Sequence, residues 1–239
     1  MSKRLRSSLL GALVCASSVA SLNATATDFS VEVTNLTGGI YFTPLLVTAH
    51  PEGNALFAAG DTASANLQAM AEGGDISGLV ADVDGLGAVS VANPAGGLLG
   101  PGETIGAALN TDASPTNTQL SVVAMMLPTN DGFIGLNGIT IPTEPGTYTY
   151  NVDAYDAGTE GNDEIAGNGD IGVPGFPAPG PVGAATGTGA TGVATAAEQF
   201  VHIHRNVLGD TDATGGDSDI DSTVHRWLNP VARVVITVN

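Results

Sequence analysis

Apolar and polar positions alternate along Phe29-Ser30-Val31-Glu32-Val33-Thr34, the period-2 signature of a strand with one buried face. Gly38-Gly39 turns the chain, and Ile40 to Thr48 predicts a second strand in which Pro44 marks an edge position or a bulge. The period then changes. Asp61 stands as an N-cap before Ala63, Leu67, Met70 and Ala71 at helical spacing, and Gly73-Gly74 ends the element. This helix is expected to cover one end of the fold. From Asp75 to Gly102 the chain is rich in Gly and Ala, which predicts loops and one or two short strands. Thr104 to Leu109 and Leu120 to Leu127 read as strands, the second apolar enough to be central and buried on both faces. Along Thr147 to Tyr155 the residues Tyr148, Tyr150, Val152 and Ala154 share one face. Residues 167 to 197 are dominated by Gly, Pro, Ala and Thr and predict a long loop without packed core. Phe200 to Val207 and Val231 to Val238 read as the last strands. Many strands, one short helix and long Gly/Pro-rich loops, with no fixed-period repeat, define an all-β fold, an antiparallel β-sandwich.

The N-terminus departs from that pattern. Lys3, Arg4 and Arg6 precede an apolar run from Leu9 to Val19, and Ala24-Thr25-Ala26 is a small-x-small cleavage site. The arrangement is that of a signal peptide over residues 1–26, with one domain over 27–239 and export as a secreted or periplasmic protein. The run is too short to span a bilayer, and Leu13-Val14 ahead of Cys15 fits a lipoprotein signal poorly. Removal of this segment leaves Arg205, Arg226 and Arg233 against 24 acidic residues, a net charge of −21, with no lysine and no cysteine. Such a surface excludes nucleic acid as a partner, because phosphate contacts need Lys and Arg. The acidity is compatible with solubility alone or with divalent-cation binding.

Two segments concentrate the second possibility. Pro128-Thr129-Asn130-Asp131-Gly132-Phe133-Ile134-Gly135-Leu136 and Tyr155-Asp156-Ala157-Gly158-Thr159-Glu160 each place a carboxylate beside an apolar run, at a strand end. Calcium takes hard oxygen ligands from acidic, Gly-containing loops of this kind. Turn closure by Asp is the simpler explanation of either loop alone. Together with Asn229-Pro230-Val231-Ala232-Arg233-Val234-Val235-Ile236, these segments resemble the spondin N-terminal domain of the F-spondin family. The resemblance implies a β-sandwich related to calcium- and lipid-binding sandwiches. It also implies a Ca2+ site with Asp131, Asp156 and Glu160 as ligands. The third position is Asp in the animal members, and the tryptophan that follows the first aspartate there is replaced by Gly132-Phe133. In that family the domain is an adhesion or matrix-interaction module, which points to an extracellular ligand: protein, glycan or lipid surface.

Other groupings compete with this one. His202 and His204 would face the same way on a strand and form a zinc or copper pair with His225 or His50 as third ligand. That arrangement would support a secreted metalloenzyme instead. Asp210-x-Asp212 and Asp217-x-Asp219-x-Asp221 look like a second calcium loop, but Ser222 and Leu228 occupy the positions where an EF-hand needs Gly and Glu. No nucleophile elbow, phosphate loop or dinucleotide fingerprint is present, so no enzyme activity is expected. Arg233 is expected to pair with a carboxylate of the sandwich. A metal-free envelope structural protein is the third reading.

The leader makes the first testable claim. Intact-mass measurement of the exported protein should give a chain beginning at Thr27; a chain retaining Met1, or one lipidated at Cys15, would exclude the assignment.

Overall fold

The computed structural model describes residues 28–182 and 187–239. The proposed leader therefore lies outside the described residues. The elements in chain order are β1 (Asp28–Asn35), β2 (Tyr41–Phe42), β3 (Leu46–His50), α1 (Ala65–Gly73), α2 (Ser77–Asp84), β4 (Val89–Ala92), β5 (Thr104–Asn110), β6 (Gln119–Leu127), β7 (Gly132–Thr140), β8 (Gly146–Asp156), β9 (Ala166–Gly167), β10 (Phe176–Pro177), β11 (His202–Ile203) and β12 (Ala232–Val238). One antiparallel sheet runs β4-β3-β6-β7-β8-β12-β1-β5, with β2 added to β6 and β11 added to β8. Its outer strands β4 and β5 contact each other, so the sheet is curled nearly closed around a single core. The expected all-β antiparallel architecture is thus present, its two layers being parts of one continuous sheet.

The core follows the alternation of the strands. Phe29, Val31 and Val33 of β1 point inward with Val234 and Ile236 of β12 and Val152 and Ala154 of β8. β6 is buried from Leu120 to Leu127, as its unbroken apolar run requires. Phe57, Phe133 and Tyr155 meet at centroid distances of 4.9–5.7 Å, and Gly135 admits Phe57 where any Cβ would collide with its ring.

Several boundaries differ from the sequence reading. The stretch from Ile40 to Thr48 is two strands, because Pro44 has no N–H to continue the ladder. Thr43 bridges the break: its N–H donates to the Met125 carbonyl, and its Oγ1 accepts from the Met125 N–H at 3.1 Å. The helix is capped by Ser64, whose side chain accepts from Leu67 N–H, not by Asp61. A second helix, α2, occupies part of the segment expected to hold only loops and strands. The Gly/Pro-rich region contributes the short parallel pair β9–β10 and buries Phe176 completely, so it is not free of core. β11 is only two residues long: Asn206 adopts a positive φ of 79° and ends the extended run expected to reach Val207. Arg233 is exposed and makes no ion pair among the described residues.

One buried polar side chain ties three parts of this sheet together. Asn35 donates to the carbonyls of Ile40 (2.7 Å) and Leu99 (3.1 Å) and accepts from the N–H and hydroxyl of Thr37. Asn35→Ala strands these buried groups, so unfolding in denaturant should show a loss of about 2 kcal/mol. The melting temperature should fall by roughly 4–8 °C.

Candidate metal centre

Strand register assembles the site. Gly132 of β7 is the Cα partner of Asp156 at the end of β8, and Asp156 is in turn the partner of His202 in β11. Asp131, one residue before Gly132, continues the ladder through its carbonyl, which accepts from Ala157 N–H at 3.1 Å. Three segments far apart in sequence therefore meet side by side. Glycines permit the approach. A Cβ on Gly132 would strike Thr129 Oγ1 at 2.6 Å and the His204 ring at 2.9 Å. Gly158, at φ 68°, lies against the backbone of Phe200 and accepts from Gln199 N–H at 2.7 Å, which draws Glu198 towards Asp156.

The carboxylates are held by backbone donors. Asp131 Oδ2 accepts from the N–H groups of Thr159 (2.8 Å) and Glu160 (3.1 Å), curling the 156–160 loop around it. Asp156 accepts from Gly158 N–H on Oδ1 and from Asn162 Nδ2 on Oδ2, both at 2.8 Å. His202 Nδ1 stands 3.7 Å from Asp156 Oδ1, and His204 Nε2 stands 3.9 Å from Oδ2. Both histidines thus face Asp156, as period-2 geometry predicts. Glu160 is turned elsewhere: its Oε1 accepts from Asn130 Nδ2 and from Gly175 N–H. It braces the Asp131 turn through Asn130, which also donates to Asp163 Oδ1 at 2.7 Å.

Burial shapes the protonation of these groups. Asp131 is pushed up to about 8, first by desolvation and then by the charge of Asp156, against the pull of the Glu160 and Thr159 N–H groups. Desolvation also raises Glu160, opposed by its bonds to Asn130 and Gly175. His204 is pushed down to about 3, chiefly by burial and then by His202. Among the described residues, four buried side-chain atoms without a hydrogen-bond partner belong to residues around Asp156. They are Asp131 Oδ1, Glu198 Oε2, His202 Nε2 and His204 Nε2. Orphaned polar atoms are rare in folded interiors, and unpartnered atoms on four residues around Asp156 fit a cation bound nearby.

Sequence reasoning reached Asp131, Asp156, His202 and His204 but missed Glu198. One donor atom from each of Asp156, Glu198 and His202 lies within 4.8 Å of the others. The available signal was isolation, since Glu198 is the sole acidic residue between Asp170 and Asp210. The other histidines are not in this group. His50 Nε2 pairs with Ser121 Oγ at 2.7 Å, and His225 Nδ1 lies 3.2 Å from the Asp221 carbonyl. In the acidic loop, Asp210 accepts from the N–H groups of Asp212, Asp217 and Ser218, and these bonds hold its pKa below the usual carboxylate range. Asp219 accepts from Ala166 and Thr188. Asp210 organises its own loop, and Asp219 ties that loop to Ala166 and Thr188.

The elevated Asp131 has a pH consequence. Unfolded, it ionises near the ordinary carboxylate value; folded, it keeps its proton until about pH 8. The folded state therefore binds the extra proton across that interval, and Asp131 makes stability fall as pH rises through it. In chelator, denaturant titrations between pH 4 and 8 should show a shallower decline for Asp131→Asn than for wild type; equal slopes would contradict the assignment.

Comparison with known families adds to this geometry. The spondin N-terminal domain model (Spondin_N) matches residues 25–165, which include β1 to β8 and the residues Asp131, Asp156 and Glu160. Glu198, His202, His204 and β12 lie beyond the match. No curated protein matches the chain. A family match over more than half of the sequence, on a chain with an antiparallel all-β fold, places this protein in the spondin N-terminal domain family.

Proposed function

We propose that this chain is an exported, calcium-binding spondin-type module that serves adhesion or matrix interaction and is not an enzyme. The observation that carries the reading is the buried Asp131–Asp156 pair. Two carboxylates at adjacent strand ends raise each other's energy, and Asp131 Oδ1 has no partner. Residues 27–239 contain no lysine, and among the described residues the one arginine ion pair is Arg205 with Glu198. A divalent cation supplies the missing counter-charge and accepts bare carboxylate oxygens. Glu160 braces Asn130 and the Asp131 turn through its Oε1.

With the cation bound, the turn 128–131 and the loop 156–163 become one stiff unit at the end of the sheet. Phe200, Ile203 and Leu208 are exposed in the adjoining segment and give an extracellular protein, glycan or lipid surface apolar contact beside a positive ion. No helix among the described residues is long and apolar enough to cross a membrane.

Calcium at a hundredfold excess over its dissociation constant should stabilise the fold by about 2.7 kcal/mol. The melting temperature should rise by roughly 5–11 °C relative to chelator in sodium at matched ionic strength. Asp156→Asn should abolish most of that rise, and Asp217→Asn in the exposed loop should preserve it. Equal melting of the wild type in both conditions would refute the calcium reading.

A further inference from the structure

We propose that Asp156, Glu198 and His202 bind a divalent transition metal of the zinc class. This goes beyond the calcium reading, with which it shares only Asp156, and two of its three ligands lie outside the segment that matches the spondin family.

One donor atom from each of the three residues already lies within 4.8 Å of the others, and the His202 ring stands beside Asp156 with Nδ1 3.7 Å from Oδ1. Ligands about 2.0–2.2 Å from a tetrahedral metal sit roughly 3.4 Å apart, so small side-chain rotations bring the group into range. Hydrogen bonding fixes which atoms are available. His202 Nδ1 lies 3.2 Å from the carbonyl of Phe200, an atom that can only accept. Nδ1 therefore carries the proton, and Nε2 presents a bare lone pair, buried and without a partner. Metal-binding histidines are characteristically oriented in this way, the remote N–H donating to a carbonyl or carboxylate. Glu198 is prepared similarly. Arg205 Nη2 holds its Oε1 at 2.6 Å, and Oε2 stays free and shielded from solvent. Asp156 uses one hydrogen bond on each oxygen, and a carboxylate oxygen has a second lone pair to offer.

His204 plays a different part from His202, although both face Asp156. Its Nδ1 accepts from Asn206 N–H at 3.0 Å, so in the neutral ring the proton is on Nε2. That N–H belongs to a side chain only 2% exposed, lies 3.9 Å from Asp156 Oδ2, and has no acceptor within hydrogen-bonding distance. It is a buried donor aimed into the cluster, and a water on the metal would supply its acceptor. Room exists for one: a cavity of about 190 Å3 opens beside the group, lined in part by Asp156, Asn162, His204 and Asn206. A single imidazole with two carboxylates and an open position suits zinc and its neighbours. Calcium instead takes six to eight oxygens and gains nothing from a nitrogen donor.

The test uses the mature chain, stripped with EDTA and titrated separately with zinc, cobalt(II) and calcium. The wild type should take up one equivalent of zinc by calorimetry, retain it through desalting by elemental analysis, and develop the visible absorption of low-coordinate cobalt(II). His202→Gln should weaken zinc binding by at least the 10–100-fold that even outer partners of a metal site carry and lose the cobalt spectrum. The calcium-dependent rise in melting temperature should persist in the same variant. Glu198→Gln, a change at a partly exposed position, provides the same readout should His202→Gln fail to fold. Absence of stoichiometric zinc in the wild type, or wild-type zinc affinity in both variants, overturns the proposal. Calcium binding without zinc binding leaves the calcium reading standing and removes this one; zinc without calcium does the reverse.

Discussion

Two carboxyl groups, Asp131 and Asp156, are forced into neighbouring positions at the buried end of one sheet, and the local architecture is organised around accommodating them. Register makes the contact unavoidable, because Gly132 and Asp156 are opposed in adjacent strands. The protein answers with dipoles instead of side-chain cations. Backbone N–H groups of Gly158, Thr159 and Glu160 point at the two carboxylates, and Asn162 adds an amide. Burial keeps His204 neutral, so it brings a weak dipole rather than a full positive charge. Dipoles lower the cost of burying a charge without cancelling it, which is why an oxygen of Asp131 is left bare and its proton is held so tightly.

The surrounding residues form a graded shell. Nearest are the carboxylates, His202 and Glu198. Behind them stand groups whose task is to aim those atoms: Arg205 on Glu198, the Phe200 carbonyl on His202, and Asn206 on His204. Glu160 belongs to this outer layer in the structure, since its Oε1 is engaged by Asn130 and Gly175. Glycine at 132 and 158 is the condition for all of it, the first making space for the imidazole and the second for the returning chain.

Much of this was legible in the sequence where the pattern is local. Alternation located β1 and β8, an unbroken apolar run located β6, and the two acidic strand ends pointed to Asp131 and Asp156. Local pattern failed where a non-local contact decides. Asp61 and Ser64 are both competent N-caps, and packing of the helix on β6 selects the second. The α2 segment, Ser-Gly-Leu-Val-Ala-Asp-Val-Asp, buries only Leu79 and Val83, too few apolar positions to announce a helical period. Phe176 is a lone aromatic in a Gly/Pro-rich stretch, and its burial depends on contacts remote in sequence. Glu198 joins the site because Gly158 binds Gln199, a contact that no spacing rule encodes. Glu160 has the right chemistry for a ligand, and its Oε1 is also held by Asn130 and Gly175, contacts that no local pattern announces.

The place of β12 has a consequence for how the molecule comes into being. The last strand of the chain lies between β8 and β1, hydrogen-bonded to both. Until residues 232–238 have been synthesised, β1 and β8 each present an open edge, and the curled sheet cannot close. A nascent chain of this design stays unsealed until β12 is available. Its exposed edges are also sites where two incomplete copies can pair. Residues 232–238 thus close the sheet for β1 and β8 at once.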